Sequence, residues 1–328
     1  MIVFLSNWNR KICKFLTDGL MEKGLQVDIV VTPEKYNRSV NWLIGAYRAV
    51  KKVDSGDTII CWFDFQGVLC WLLSKLCFKK IYVLSINIRL KDKDTYANRV
   101  AETLYRLALR SDRFLGTVNS EEYGQYIAKR LKIDKKLPLV RDVYQASVSP
   151  RPFTNNGRRV FCGGSNSRDW DKVLRIAAMM SDYQFILVMP GRLKRAYQDK
   201  RTDNVKIFFD QPFQRFLHIM EGATFVLLPV DTNAPAGLIV MFQAATLGRL
   251  VVTNSTMVTR EYVGKGNGIV MGEGCTDEDY ASALRYYSEH ESEAAEKVRH
   301  FQTYLQEKCS TDIFVNSISE ILSNDFAR

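Results

Sequence analysis

The chain has 328 residues, 46% of them apolar, and its 46 Lys and Arg against 36 Asp and Glu give a formal net charge of +10. That size and apolar content suit two globular domains and exclude a disordered chain, while seven cysteines with no CxxC pair and no nearby histidine argue against a zinc site and a disulfide framework and fit a reducing cytoplasm. The charge is one-sided: residues 1–150 hold 25 Lys and Arg against 15 Asp and Glu, whereas residues 151–328 hold 21 of each, so the first half is suited to an anionic partner.

The first half alternates strand and helix. Ile2–Ser6 reads as a strand, Arg10–Lys23 as a helix with Ile12, Phe15, Leu16 and Leu20 on one face, and Val27–Val31 as the next strand. Further strands are expected at Thr58–Trp62, Ile81–Ile86 and Phe114–Val118, with helices over Asn41–Val53, Gln66–Cys77, Thr95–Arg110 and Glu121–Leu131. Strands apolar on both faces and separated by helices imply a parallel sheet, whose functional loops follow the strands. The loop Ser6-Asn7-Trp8-Asn9-Arg10 has no glycine, so the GxGxxG fingerprint of an NAD or FAD site is absent. Asn7, Asp64, Asn87 and Arg89 stand at strand ends and are candidates to face a ligand cleft; Asp64 reads equally well as a helix N-cap.

Around Thr95–Arg110, Arg99, Arg106, Arg110 and Arg113 accompany Leu104, Tyr105, Leu107 and Leu109, a combination that fits either an ordinary packed helix or a basic amphipathic face at an anionic bilayer. Nucleic acid fits less well, because Trp8, Trp42, Tyr47 and Trp62 fall at core-like spacing. No stretch reads as a membrane span: the apolar start is too short for a signal peptide, and Thr58–Phe78 is interrupted by Asp64, Gln66 and Lys75. A cytoplasmic protein is expected, peripheral at most on the inner face of the cell membrane.

Residues 146–158, rich in Pro, Gly, Ser and Asn, read as a linker between a first domain (1–145) and a second (159–328). The second domain opens with a strand, Arg159–Cys162, then Gly163-Gly164 and Arg168 ahead of a helix reaching about Ser181. Adjacent glycines let backbone N–H groups approach a phosphate, and Arg168 stands where a guanidinium can pair with it. Strands Phe185–Met189 and Val205–Phe209 and a helix Phe213–Glu221 follow, and Pro190-Gly191-Arg192 adds a cation near the same rim. Then comes the stretch ATFVLLPVDTNAPAGLIVMFQAATLGRLVVTNSTMVTREYV: a strand Thr224–Pro229, a loop, a helix opening near Gly237, and a strand Leu250–Thr253. The last fifty residues read as charged, solvated helices.

The frame Pro229, Gly237, Gln243-Ala244-Ala245, Gly248 and Val251-Val252, preceded by Gly-Gly-Arg168, resembles the carboxyl domain of retaining GT-B glycosyltransferases, especially glycosyltransferase family 4. The resemblance implies an α/β fold of two Rossmann-like domains with parallel sheets facing an interdomain cleft. It also implies transfer of a sugar from a nucleotide-diphosphate sugar to a glycan or lipid-linked acceptor, as in polysaccharide or glycoconjugate synthesis, with no metal or other cofactor. In that pattern Arg168 grips the diphosphate together with Gly163, Gly164, Pro190 and Gly191. The amides around Ala236, Gly237 and Leu238 face the distal phosphate or donor sugar, and Gln243 stands at the ribose-binding glutamate. The family's other glutamate falls at Pro235, so its role is either missing here or taken by Asp231 or Asn233. The only histidines, His218, His290 and His300, lie in the second half, and a front-face retaining route can use the departing phosphate as base. An alternative is a non-catalytic GT-B protein that binds a nucleotide or glycan beside a partner enzyme. An epimerase or phosphorylase of the same architecture fits less well, for want of a lysine motif and of the usual carboxylates and histidines.

Overall fold

The apolar run Ile2–Ser6 (β1) pairs in parallel on both sides, with Ile2 opposite Val27 of Val27–Val31 (β2) and opposite Thr58 of Thr58–Cys61 (β3). Tyr82–Ser85 (β4) and Phe114–Gly116 (β5) complete a five-stranded sheet of order β2-β1-β3-β4-β5. In the computed structural model, which describes residues 1–6, 14–92, 94–145, 149–200 and 202–326, this sheet is the centre of one unit, Met1–Val143 with Cys309–Arg328; Tyr144–Lys308 forms the other. The connecting helices are Lys14–Glu22 (α1), Arg38–Lys52 (α2), Asp64–Leu76 (α3) and Tyr96–Leu109 (α4), and Glu121–Leu131 (α5) follows β5. Helix α2 starts three residues before the apolar periodicity does, because Asn37 caps it by accepting from the Val40 N–H; Thr95 and Ser120 do the same for α4 and α5.

The second sheet has six parallel strands: Arg159–Gly163 (β6), Gln184–Met189 (β7), Val205–Phe209 (β8), Phe225–Leu228 (β9), Leu250–Asn254 (β10) and Ile269–Met271 (β11), in the order β11-β10-β9-β6-β7-β8. Strand β11, three residues between glycines, is too short to leave a sequence signal. Trp170–Ala178 (α6), Lys194–Tyr197 (α7), Phe213–Glu221 (α8), Leu238–Thr246 (α9), Met257–Tyr262 (α10), Asp277–Glu289 (α11), Glu291–Cys309 (α12) and Thr311–Asp325 (α13) complete the chain. Strand order reverses between β1 and β3 in one sheet and between β6 and β9 in the other. Beyond the carboxyl ends of such a pair a crevice opens where no crossover covers it.

Two boundaries differ from the sequence reading. Helix α13 belongs to the first unit, not the second: Phe314, Val315, Ile318, Ile321 and Leu322 join Phe4, Leu16, Leu20, Ile60 and Leu84 in its core. Each such burial contributes roughly 1.5–3 kcal/mol. Gly19 lets α1 approach, since a Cβ there would lie 2.9 Å from the Val315 methyls. The polar segment 151–157 is no free linker either. The Arg151 N–H donates to the Thr246 carbonyl (2.8 Å), the Asn156 N–H to the Thr224 hydroxyl (2.9 Å), and Arg249 to the Thr154 carbonyl (2.9 Å), so it is pinned to the second unit. Among the described residues no helix is long and apolar enough to cross a membrane.

Candidate functional site

The loop after β6 and the loop after β9 are joined across the switch point of the second sheet. The Asp231 N–H donates to the Ser167 carbonyl (3.2 Å), the Asp169 N–H to the Pro229 carbonyl (3.1 Å), and Arg168 forms an antiparallel bridge with Val230. Ser167 accepts a left-handed backbone (φ 50°) to make this turn. Asn254, at the end of β10, holds the other side of Val230, accepting from its N–H (2.5 Å) and donating to its carbonyl (3.0 Å). The backbone that aims Arg168 is thereby fixed from both neighbouring strands. Nothing in the local spacing singles out Asn254, a polar residue closing an apolar strand.

The Arg168 side chain is only 7% exposed. Its Nε donates to the Gly163 carbonyl (3.2 Å) and its Nη1 to the Asn166 carbonyl (3.0 Å); no carboxylate pairs with it among the described residues. A Cβ on Gly164 or on Gly237 would lie 3.0 Å from Nη2, so the guanidinium fits between two residues that must lack side chains. Burial pulls its pKa below the ordinary arginine value. A desolvated cation with neutral partners lacks an anion, and the same place offers further donors. Gly237, at φ 84°, precedes α9 and supplies no side-chain cap, so the positive dipole end of that helix opens at the same place.

The other expected donor-side residues divide. Asp231 and Asn233 are exposed on the loop between β9 and α9, Ala236 is half-buried, and Pro235 and Leu238 are buried. Gln243 is 5% exposed, and its side-chain oxygen is shielded with no hydrogen-bond partner. The Gly191 N–H is already spent on the Asp210 carboxylate (2.7 Å), so Pro190-Gly191 supplies no open amide there. The cation beside it does reach the rim: Arg192 donates to the Ser165 carbonyl.

In the first unit Asn7 lies outside the described residues, while Asp64, Asn87 and Arg89 come together at the strand ends. The Asp64 carboxylate accepts from the Phe65 N–H (2.8 Å), the Arg89 N–H (2.8 Å) and the Tyr105 hydroxyl. It does not cap α3, whose N-cap is Phe63. Asn87 takes a left-handed backbone (φ 52°), with its N–H and side-chain oxygen both on the Thr117 hydroxyl. Burial pushes the Asp142 carboxyl up while the Arg89 charge holds it down. Asp64 therefore ties the β4 loop to α3 and α4. Asp64→Ala is expected to cost about 2–3 kcal/mol, since three donors lose their acceptor; urea unfolding checks this, and a loss below about 1 kcal/mol would contradict the strut.

The basic helix reading also divides. Tyr105 and Leu109 are core residues, Arg99 pairs with Asp94 (2.6 Å), and Arg110 and Arg113 donate to the Lys132 and Lys80 carbonyls. Tyr96, Val100 and Leu107 form the exposed apolar stripe of α4.

Two parallel-sheet α/β domains of this kind define the GT-B fold of glycosyltransferases. Sucrose-phosphate synthase (tll1590) from Thermosynechococcus elongatus matches with a TM-score of 0.78 at 12% identity, over 100% of this chain and 99% of that one. Anabaena Alr3699/HepE, in complex with UDP-glucose, matches with a TM-score of 0.71 at 15% identity, over 98% and 99%. WaaG, a glycosyltransferase involved in lipopolysaccharide biosynthesis, matches with a TM-score of 0.61 at 13% identity, over 99% and 100%. No family model and no curated protein sequence matches the chain.

Proposed function

We propose that the chain transfers a sugar, a hexose by preference, from a nucleotide-diphosphate sugar to a glycan or lipid-linked acceptor, in the manner of family 4 enzymes, with retention and without a metal. One observation carries the reading: Arg168 is a buried cation with no carboxylate paired to it among the described residues, at the switch point of a six-stranded parallel sheet and beside Gly237 at the start of α9. A diphosphate supplies the missing charge. As the bond from the anomeric carbon to the diphosphate oxygen breaks, charge grows on that oxygen, and a fixed guanidinium with helix N–H groups stabilises it without rearrangement. Gln243, whose amide oxygen has no partner in the free chain, accepts from the ribose. Asp231 and Asn233 serve the donor sugar where Pro235 cannot. The acceptor oxygen bonds to the anomeric carbon on the face the diphosphate leaves, and its proton passes to the departing phosphate oxygen, so no protein base is needed. The neighbours in complex with UDP and UDP-glucose support this choice of donor.

On the acceptor side we place the strand ends of the first unit, around Asp64, Asn87 and Arg89. The exposed Tyr96, Val100 and Leu107 with Arg106 suit peripheral attachment to an anionic inner membrane face, where polysaccharide or glycoconjugate precursors would be met. A thermal-shift panel of nucleotides and nucleotide sugars tests the donor: a ligand at about 100 times its Kd adds about 2.7 kcal/mol to stability. Silence across UDP, GDP and their sugars would falsify the reading.

A further inference from the structure

A cavity of about 460 Å³ opens at the strand ends of the first unit and is lined by Thr32, Glu34, Tyr36, Arg38, Trp42 and Phe63, among others. It is built from the end of β2, the first turns of α2 and the residue after the β3 loop begins. Gly45 sets its depth: a Cβ there would lie 2.4 Å from the Thr32 hydroxyl, so only glycine lets α2 press onto the end of β2 and carry Trp42, three residues earlier, to the cavity wall. The walls are held in place. Asn41 accepts from the Tyr36 N–H (3.0 Å) and donates to the Tyr36 carbonyl (2.5 Å), Gln66 donates to the Thr32 hydroxyl (2.9 Å), and the Trp42 and Phe63 rings lie 5.9 Å apart, tilted by 30°.

At the rim stand two charges with no ion-pair partner among the described residues. The Arg38 guanidinium lies 4.3 Å from the Trp42 ring centre, which orients its planar fork; Glu34 is exposed. Aromatic walls with one carboxylate and one guanidinium at the edge discriminate among ligands. An isoprenoid chain would desolvate both charges for nothing. A phosphate would meet Glu34. A saturated sugar ring lays its apolar C–H face on an aromatic ring, while its hydroxyls both donate to the carboxylate and accept from the guanidinium. The volume lies within the roughly 300–1,000 Å³ of small-ligand sites and admits a mono- or disaccharide.

We infer that this cavity binds a sugar residue of the acceptor, which makes the acceptor a glycan whose terminal saccharide is read by Trp42, Phe63, Arg38 and Glu34. The inference rests on the sugar-transfer reading above and names its second substrate. Saturation-transfer NMR on the full chain without nucleotide, using a panel of methyl glycosides and di- and trisaccharides, tests it. At least one saccharide is expected to receive saturation on its ring C–H protons, and Trp42→Ala is expected to weaken that ligand at least about tenfold, each lost contact of this kind being of the order of 1.4 kcal/mol. Trp42 is half-buried, so the exposed variants Glu34→Ala and Arg38→Ala guard against misfolding; each is expected to lose about tenfold. UDP affinity stays unchanged in all three. The inference is overturned if no saccharide binds, if binding survives Glu34→Ala with Arg38→Ala, or if the cavity takes farnesyl phosphate in place of any saccharide. UDP binding without saccharide binding sinks only this inference. Trp42-dependent saccharide binding without UDP binding keeps the cavity and sinks the transferase.

Discussion

Arg168→Ala is expected to weaken UDP binding about a hundredfold and to abolish sugar transfer, with little change in the stability of the free chain. The binding loss follows from the guanidinium's setting: a charge-assisted contact to a phosphate in a shielded site is worth roughly 1.5–3 kcal/mol, and about 2.8 kcal/mol is a factor of a hundred. The stability side is the more discriminating half. Arg168 makes two hydrogen bonds to carbonyls, of Gly163 and Asn166, and losing them costs a little. Against that, no carboxylate is orphaned, and a cation that burial had already made unfavourable is removed. The two effects offset to within about 1 kcal/mol. An arginine serving only the fold would behave in reverse, costing several kcal/mol of stability and nothing in UDP affinity. Arg168→Lys keeps the charge and loses the fork, so it should fall between. Calorimetric titration with UDP and urea unfolding of the same variants decide the matter, and wild-type UDP affinity in Arg168→Ala would end the donor-site assignment.

What made this site readable from the chain is that its parts are close in sequence to strong signals. Gly163-Gly164 follows an apolar strand, Arg168 precedes a helix capped by Asp169, and Gly237 opens α9 after two prolines and an apolar run. Each is a local pattern, and local patterns survive folding. The parts that were not readable depend on partners far along the chain. The Gly191 amide reads as open until Asp210 folds onto it. Asp64 reads as a cap or a cleft residue until Arg89 and Tyr105 arrive to occupy its carboxylate. Trp42 has the spacing of a core residue, and only the approach of Gly45 to Thr32 sets it beside Arg38 at a cavity wall. Helix α13 carries apolar residues at helical spacing that fit either domain's core. Its placement against α1 rests on shape, through the close approach of Gly19 and Val315, and shape is not written in periodicity.

The second large effect is expected at Gly248, past the opposite end of α9 from Gly237. Helix α9 ends in a Schellman turn: the Gly248 N–H donates to the Ala245 carbonyl (3.0 Å) and the Arg249 N–H to the Ala244 carbonyl (2.8 Å), with Gly248 left-handed at φ 73°. A side chain at that φ costs on the order of 1–2 kcal/mol by itself. Gly24, also left-handed (φ 81°) at the end of a helix, has nothing within 4 Å of its missing Cβ, so Gly24→Ala measures the backbone cost alone. At Gly248 the Cβ would lie 2.1 Å from the Pro152 carbonyl oxygen and 2.8 Å from that of Arg151. Those atoms are backbone, and no rotamer change clears them. Relief requires lifting residues 151–152, which breaks the bond from the Arg151 N–H to Thr246 and disturbs Gln302, whose amide donates to both the Arg151 and Ala245 carbonyls (2.7 Å each). Gly248→Ala is therefore expected to cost about 3–5 kcal/mol, well beyond Gly24→Ala, the excess being the clash and the lost hydrogen bonds. Because those bonds anchor the carboxyl end of the helix whose amino end starts at Gly237, UDP affinity should fall as well, though Gly248 touches no ligand. Equal unfolding energies for the two alanine variants would mean that the segment before β6 yields freely, and the coupling from that segment through α9 to the donor site would then be lost.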